Sequence, residues 1–205
     1  MNTKSHYILG GLITAAIITA VPALYAQTAT SGFKSEPDKS MAAAHESFLK
    51  GQKDKAASDI HKSAEWIKKQ ADKVGEDSKA GMKSAGDELD KLGDGVKDGT
   101  VKSGEELKKG FAKADHSIAT CWHKTAENTK SAGKDSTEDL KKAGTALENS
   151  AKWSGQQLSE GTQATMAALK KAGKATGEGT KEGAEKVDKW FKGIGDGIED
   201  LGKKL

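Results

Sequence analysis

The segment Ile60-His61-Lys62-Ser63-Ala64-Glu65-Trp66-Ile67-Lys68-Lys69-Gln70-Ala71-Asp72-Lys73-Val74 sets the pattern for the rest of the chain. An uncharged residue returns every third or fourth position: Ile60, Ala64, Ile67, Ala71, Val74. The same path runs on through Met82, Leu89, Val96, Leu107, Ile118, Cys121, Leu140, Leu147, Leu158, Leu169, Val187, Trp190, Ile194, Ile198 and Leu201 to Leu205. It meets no charged residue, although 31% of the chain is charged. Its forty steps average about 3.6 residues, the period of an α-helix. The spacing therefore predicts an all-α protein whose helical surface keeps one dry face from Ile60 to the C-terminus.

Upstream of this region, Met1 to Ala26 reads as a targeting segment. Lys4 gives a positive start, Ile8 to Val21 is uncharged and mostly apolar, Pro22 breaks it, and Ala26 offers a small residue before a cut ahead of Gln27. Cleavage after Ala23 is the alternative site, and an uncleaved anchor the alternative fate. The apolar run is shorter than the ~20 residues a spanning helix needs, which favours cleavage and export to the periplasm or beyond. No cysteine follows the run to carry a lipid. Residues 27–36 read as a flexible linker.

Composition narrows the function classes. All 33 basic residues are lysine and nearly balance 30 acids, leaving a formal charge of +3. Nucleic-acid binding is not expected, because it needs a clustered basic face and usually the planar arginine fork. Aromatics are 5% of the chain, which argues against a large globular core. One cysteine, Cys121, excludes an internal disulfide framework. No catalytic constellation is present, so the expectation is a non-enzyme with no cofactor and no small-molecule substrate.

A first helix is expected from about Pro37 to Lys50, with Ser35 as its N-cap, Asp38 completing the box, and Met41, Ala44, Phe48 and Leu49 on one side. Gly51 ends it and begins a tight turn into the long helix. Phe48-Leu49-Lys50-Gly51 with Ala56, Ile60 and Ala64 resembles the turn and flanks of a tetratricopeptide-type hairpin. That resemblance implies a helical hairpin over 37–70. It occurs once, and the family's closing proline is missing, so its peptide-binding function is not carried over.

Residues 71–205 have a finer beat of eleven. Leu107, Ile118, Thr129 and Leu140 share it, as do Leu147, Leu158 and Leu169, and Val187 with Ile198. Eleven residues make three turns at about 3.67 per turn, so the stripe stays straight or winds slightly right-handed. Pairs such as Glu65–Lys69, Glu105–Lys109, Glu138–Lys142, Glu185–Lys189 and Asp188–Lys192 support the polar face by a few tenths of a kcal/mol each, roughly. Against them, twenty of 24 glycines lie between Gly75 and Gly202. At about 0.5–1 kcal/mol each, they make the helix conditional on a surface or partner, with soft points at 93–104, 131–136 and 173–183. Eleven-residue, lysine-rich amphipathic repeats of this kind resemble late embryogenesis abundant proteins, exchangeable apolipoproteins and synucleins. Thr180-Lys181-Glu182-Gly183-Ala184 is similar to the synuclein repeat core. The resemblance implies helix formation on membranes or under desiccation.

Two further groups stand out. His116, Cys121 and His123 are the one cluster with metal-ligand chemistry, but Cys121 lies well round the cylinder from His116, so they read as ordinary helix-face residues. Trp66, Trp122 and Trp153 fall one residue off the stripe and Trp190 on it, serving either as bulk in a helix–helix seam or as interfacial anchors. The expected architecture is a short helix, a tight turn and a very long or segmented amphipathic helix, extended or folded back as a loose bundle. The expected function is an exported, stress-protective or membrane-surface protein. The alternative is a structural or interaction protein that self-associates or bundles with a helical envelope partner. In either case the candidate binding face is Leu107, Ile118, Leu140, Leu147, Leu158, Leu169, Val187, Trp190, Ile194, Ile198 and Leu201.

Overall fold

The computed structural model describes Phe33, residues 35–172 and residues 181–205. The expected targeting segment, most of the linker and most of the third soft point lie outside these residues. Among the described residues the chain forms seven α-helices, one 3-10 turn and no strand. They are α1 (Asp38–Leu49), α2 (Lys53–Gln70), α3 (Glu76–Lys97), α4 (Gly104–Ser131), α5 (Thr137–Ser154), α6 (Glu160–Lys171) and α7 (Lys181–Gly202). The 3-10 turn Ala71–Lys73 joins α2 to α3.

The long helical region is segmented and folded back. The same closure ends α1, α3, α4 and α5, at Gly51, Gly99, Gly133 and Gly155. Each has φ between 68 and 72°, the left-handed region that only glycine enters without strain. In each, the glycine N–H donates to the carbonyl three residues back and the next N–H to the carbonyl four before the glycine, at 2.8–3.3 Å. This Schellman pattern satisfies helix-end carbonyls and reverses the chain. Two of these glycines fall in the expected soft points 93–104 and 131–136. Gly155 lies outside them. On the incoming side, Ser103 and Glu106 form a capping box that starts α4: the Glu106 amide donates to Ser103 Oγ and the Ser103 amide to the Glu106 carboxylate, both at 3.2 Å.

Successive helices pack antiparallel. Lys68 meets Asp87 while His61 meets Asp94 across α2 and α3. Ser150 reaches Ala112 O while Thr129 reaches Asp139 across α5 and α4. Helix α7 lies against α4, α5 and α6. Folding back turns the uncharged path inward. Ile60, Ala64, Ile67, Met82, Leu89, Val96, Leu107, Leu140, Leu147, Ile194 and Leu201 are each 0 or 1% exposed, and among the described residues of the path, which also passes through Thr100, Ala132 and Gly161, those three are the exposed ones. The thinness of this face is what lets helices approach. A Cβ at Gly86 would lie 2.6 Å from Lys68 Cγ and 3.1 Å from the Ala64 carbonyl; at Gly193 it would lie 2.2 Å from Thr165 Oγ1 and 2.9 Å from Thr165 Cβ.

Local details depart from the sequence expectation. Ser35 does not cap α1: Pro37 occupies the N-cap position with no side-chain cap. Asp38 is buried rather than part of a capping box. Leu49 is 54% exposed and does not share the face of Met41 and Ala44. The ion pairs differ from the expected set, three of the changes within one helix and one between helices. Glu65–Lys69 is present at 2.6 Å, but Glu105 pairs with Lys108, Lys142 with Asp139, Lys192 with Asp196, and Asp188 with Lys130 of α4.

Candidate functional site

The polar chemistry of the fold concentrates where the start of α1 meets α2, α4 and α5. Ser63 Oγ of α2 donates to Pro37 O at 3.1 Å and fixes the entry of α1. This places Asp38 in the first turn, 3% exposed, where helix N-terminal amides favour a negative charge. Its carboxylate accepts from Asn149 Nδ2 at 2.7 Å and from Trp153 Nε1 at 3.0 Å, both on α5. Trp153 is itself held between rings, stacked on Phe33 at 4.6 Å and edge-on to Phe111 at 5.0 Å.

Asp115 projects from α4 beside Asp38. It is 1% exposed, and its carboxyl oxygens receive no hydrogen-bond donor from any other residue. Asp38 lies against it, close enough for a proton on Asp115 to be shared between the two carboxyls. Burial, and then the like charge of Asp38, push the Asp115 carboxyl well above the usual carboxylate range. Burial also raises Asp38, against the lowering effect of its hydrogen bonds with Asp115, Trp153 and Asn149. With Asn149 and Trp153 donating to Asp38 alone, the arrangement keeps the charge on Asp38 and the proton on Asp115, which donates it to Asp38.

These carboxyls line a cleft of about 310 Å³. Glu36, half-buried at its lip, also has a buried and unpartnered oxygen, Oε2. The half-buried Trp66 and the buried Ile118 and Pro37 supply apolar wall, and the exposed Ser35, Glu138 and Thr145 form the rim. Two lysines border the cleft, each engaged elsewhere. Lys141 Nζ donates to Ala172 O at 2.7 Å. Lys142 Nζ lies 4.0 Å above the Trp122 ring and 3.4 Å from Asp139. Among the described residues, no group of three or more His, Cys, Asp or Glu side chains could hold a metal ion.

The residues expected to form a binding face occupy different places. Leu107, Ile118, Leu140, Leu147, Leu169, Val187, Ile194 and Leu201 are buried, and Leu158, Trp190 and Ile198 are half-buried at its margin. They form an interior rather than a surface, because the glycine turns bring their faces together. Trp122 and Trp153 are buried in the seam, at 4% and 3% exposure.

His116, Cys121 and His123 separate. Cys121 is buried between α3 and α4, its Sγ 3.0 Å from where a Cβ on Gly81 would sit, and burial raises its thiol pKa. The histidines reach α7: His116 Nε2 lies 2.8 Å from Ile198 O and His123 Nε2 lies 3.1 Å from Phe191 O. Gly202 and Gly195 clear the way, since a Cβ there would lie 2.9 Å and 3.4 Å from those same nitrogens. Seven-residue spacing on both helices makes this a two-point clasp.

The cleft residues were missed because the uncharged path steps from Ala114 to Ile118 over Asp115. The readable sign is that Asp115 lies four after Phe111, three before Ile118 and seven before Trp122, an acid on an apolar helix face. No protein-family model, characterised protein or solved structure matches the chain.

Proposed function

We propose that this is a non-enzymatic binding protein of the cell envelope that acts as a folded helical bundle, the alternative reading of the sequence, rather than as a helix waiting for a lipid surface. The observation that carries this is the inward turn of the uncharged row, with Leu107, Leu140, Leu147 and Ile194 at 0% exposure. A membrane coat needs that row in contact with lipid, which here would require opening the bundle. Export remains part of the proposal and rests on Lys4, the apolar run and Ala26.

Leu147→Lys and Gln157→Lys separate the two readings. Placing an ammonium at Leu147 should abolish cooperative unfolding in plain buffer without lipid, at a cost of several kcal/mol, roughly. Gln157 is exposed, so the same change there should leave unfolding unaltered. If Leu147→Lys keeps the buffer state and loses only vesicle binding, the coat reading replaces this one.

One observation keeps a narrower lipid reading alive for α7. Its dry face carries Val187, Trp190, Ile194, Ile198 and Leu201, and polar attachments hold it to α4 through His116, His123 and Lys130. Release of α7 alone would present an amphipathic helix to a membrane and leave α1–α5 packed. Vesicle-induced loss of protection confined to α7 would support it.

A further inference from the structure

Helix α1 is docked on α4 and α5 through titratable side chains. Its first turn is tied to α5 by Asp38, which accepts from Asn149 Nδ2 at 2.7 Å and Trp153 Nε1 at 3.0 Å. It is tied to α4 by the proton that Asp115 shares with Asp38. Just ahead of the helix, Phe33 stacks on the same Trp153 at 4.6 Å. Seven residues beyond Asp38, and so on the same face, His45 is 6% exposed and stands edge-on to Trp153 at 6.1 Å. Phe33, Asp38 and His45 thus all meet one ring, and α1 docks there as a unit with its lead-in. Apolar anchorage is slight by comparison. Of the larger apolar side chains of α1, Met41 is fully buried, Phe48 is half-buried and Leu49 is 54% exposed.

This geometry couples docking to protons. Docked, the Asp38–Asp115 pair keeps a proton that two solvated carboxyls would release, so opening gives up that proton and is favoured as pH rises. Undocked, His45 takes up a proton that burial denies it, so its share of opening is favoured as pH falls through the ordinary histidine range. The two effects oppose one another in that range, and above it the carboxyl pair acts alone. The surroundings do not neutralise the pair. The other charged groups at the cleft are Glu36 ahead of α1 and Glu138, Lys141 and Lys142 on α5, while α2 contributes the untitratable Trp66 and Gln70. Both lysines are engaged elsewhere, with Ala172 O and with Asp139 and the Trp122 ring. Around His45 stand Lys108 and Glu105 of α4, with opposite effects. The remaining charged residues of α1, Lys39, Glu46 and Lys50, are exposed.

We propose that α1 is a pH-released latch, held on α4 and α5 while Asp38 and Asp115 share a proton and freed, with Phe33, when that proton is lost. Release uncovers Trp153, which is 3% exposed while α1 is in place. The latch rests on the bundle reading, since it needs α4 and α5 packed beneath α1.

Amide hydrogen exchange of the full chain from pH 5 to 9, corrected for the base catalysis of exchange itself, tests this. In the parent, protection of α1 should fall at least ten-fold across the range, by at most about ten-fold per pH unit for one proton, while α3 holds its protection. Asp115→Asn should reverse the trend: with His45 alone titrating, protection of α1 should rise with pH through the histidine range. His45→Gln, which leaves the carboxyl pair intact, should steepen the fall below pH 7, and it decides the matter if Asp115→Asn does not fold. Constant protection of α1 in a parent with α3 protected would overturn the latch alone. An equal fall in α1 and α3 would overturn it too, because the pair would then act on the whole bundle. Unprotected α2 to α5 at every pH would contradict the bundle reading and the latch with it.

Discussion

Asp115 is the residue whose state most affects the energetics of the interior. Its pKa is raised in the fold by burial and by Asp38, so the native protein holds a proton that the unfolded chain releases near the ordinary carboxylate value. The unfolded state therefore binds fewer protons between that value and the raised native one. Stability falls as pH rises through that window and is fully present below it. Asp38, raised by burial, contributes in the same direction. His45, lowered by burial, contributes oppositely, its share being lost as pH falls below the ordinary histidine range. The difference between variant and parent is therefore the clean readout. Asp115→Asn should flatten the fall in stability with rising pH and should gain about 1–3 kcal/mol at neutral pH, measured by urea unfolding from pH 4 to 8. An unchanged slope would mean that Asp115 titrates normally. Trp153→Phe keeps the ring stacked on Phe33 but removes the donor to Asp38, and should cost about 1–3 kcal/mol. Neither role was legible in the sequence. Asp115 sits between the residues of the uncharged path, and the partners of Asp38 are 111 and 115 residues away, a separation that no local pattern encodes.

At the scale of the helix, glycine has three separate roles that composition merges into one penalty. Some glycines end helices, as at Gly99 and Gly133. Others let helices touch, as at Gly86, Gly193 and Gly197, where a Cβ would meet Thr162 Cγ2 at 2.5 Å and Leu147 Cδ2 at 2.9 Å in the last case. The rest simply cost helix propensity. Gly193→Ala and Gly161→Ala distinguish the last two roles. A methyl at Gly193 would strike three atoms of the stiff Thr165 side chain, so the gain in propensity should be reversed and the α6–α7 contact weakened by about 1–3 kcal/mol. At Gly161 nothing lies within 4 Å, and the variant should gain up to about 1 kcal/mol. Thermal unfolding reads both, and equal shifts would contradict this division. The His116 and His123 clasp predicts that His123→Leu, which loses the contact to Phe191 O, speeds amide exchange in α7 and leaves α2 and α3 unchanged. The sequence showed these helices and their dry face plainly, because a 3.6-residue period survives any fold. Its glycine content pointed to soft points at 93–104 and 131–136, where α3 and α4 end. It missed Gly155, because a terminating glycine and an interior one differ in φ and not in identity.

For the whole molecule, the uncharged row is consistent with two opposite arrangements, one long helix with its face turned to a surface and several short helices with that face turned to one another. Periodicity cannot distinguish them, since both bury the same residues. What decides is how many times the chain reverses. Schellman closures at Gly51, Gly99 and Gly133, with the 3-10 turn Ala71–Lys73 between α2 and α3, stack α1 to α5, and the closure at Gly155 turns the chain on toward α6. Small residues along the row then become an asset, because Ala, Ser and Gly permit close packing where larger residues would hold the helices apart. The most direct test is amide hydrogen exchange, followed by mass spectrometry, of the dilute chain in plain buffer with no lipid and no partner. The bundle predicts slow exchange throughout α2 to α5, fastest at 98–103, 132–136 and 155–159, and independent of protein concentration. Fast, uniform exchange from residue 71 onward that slows only when anionic vesicles are added would contradict it.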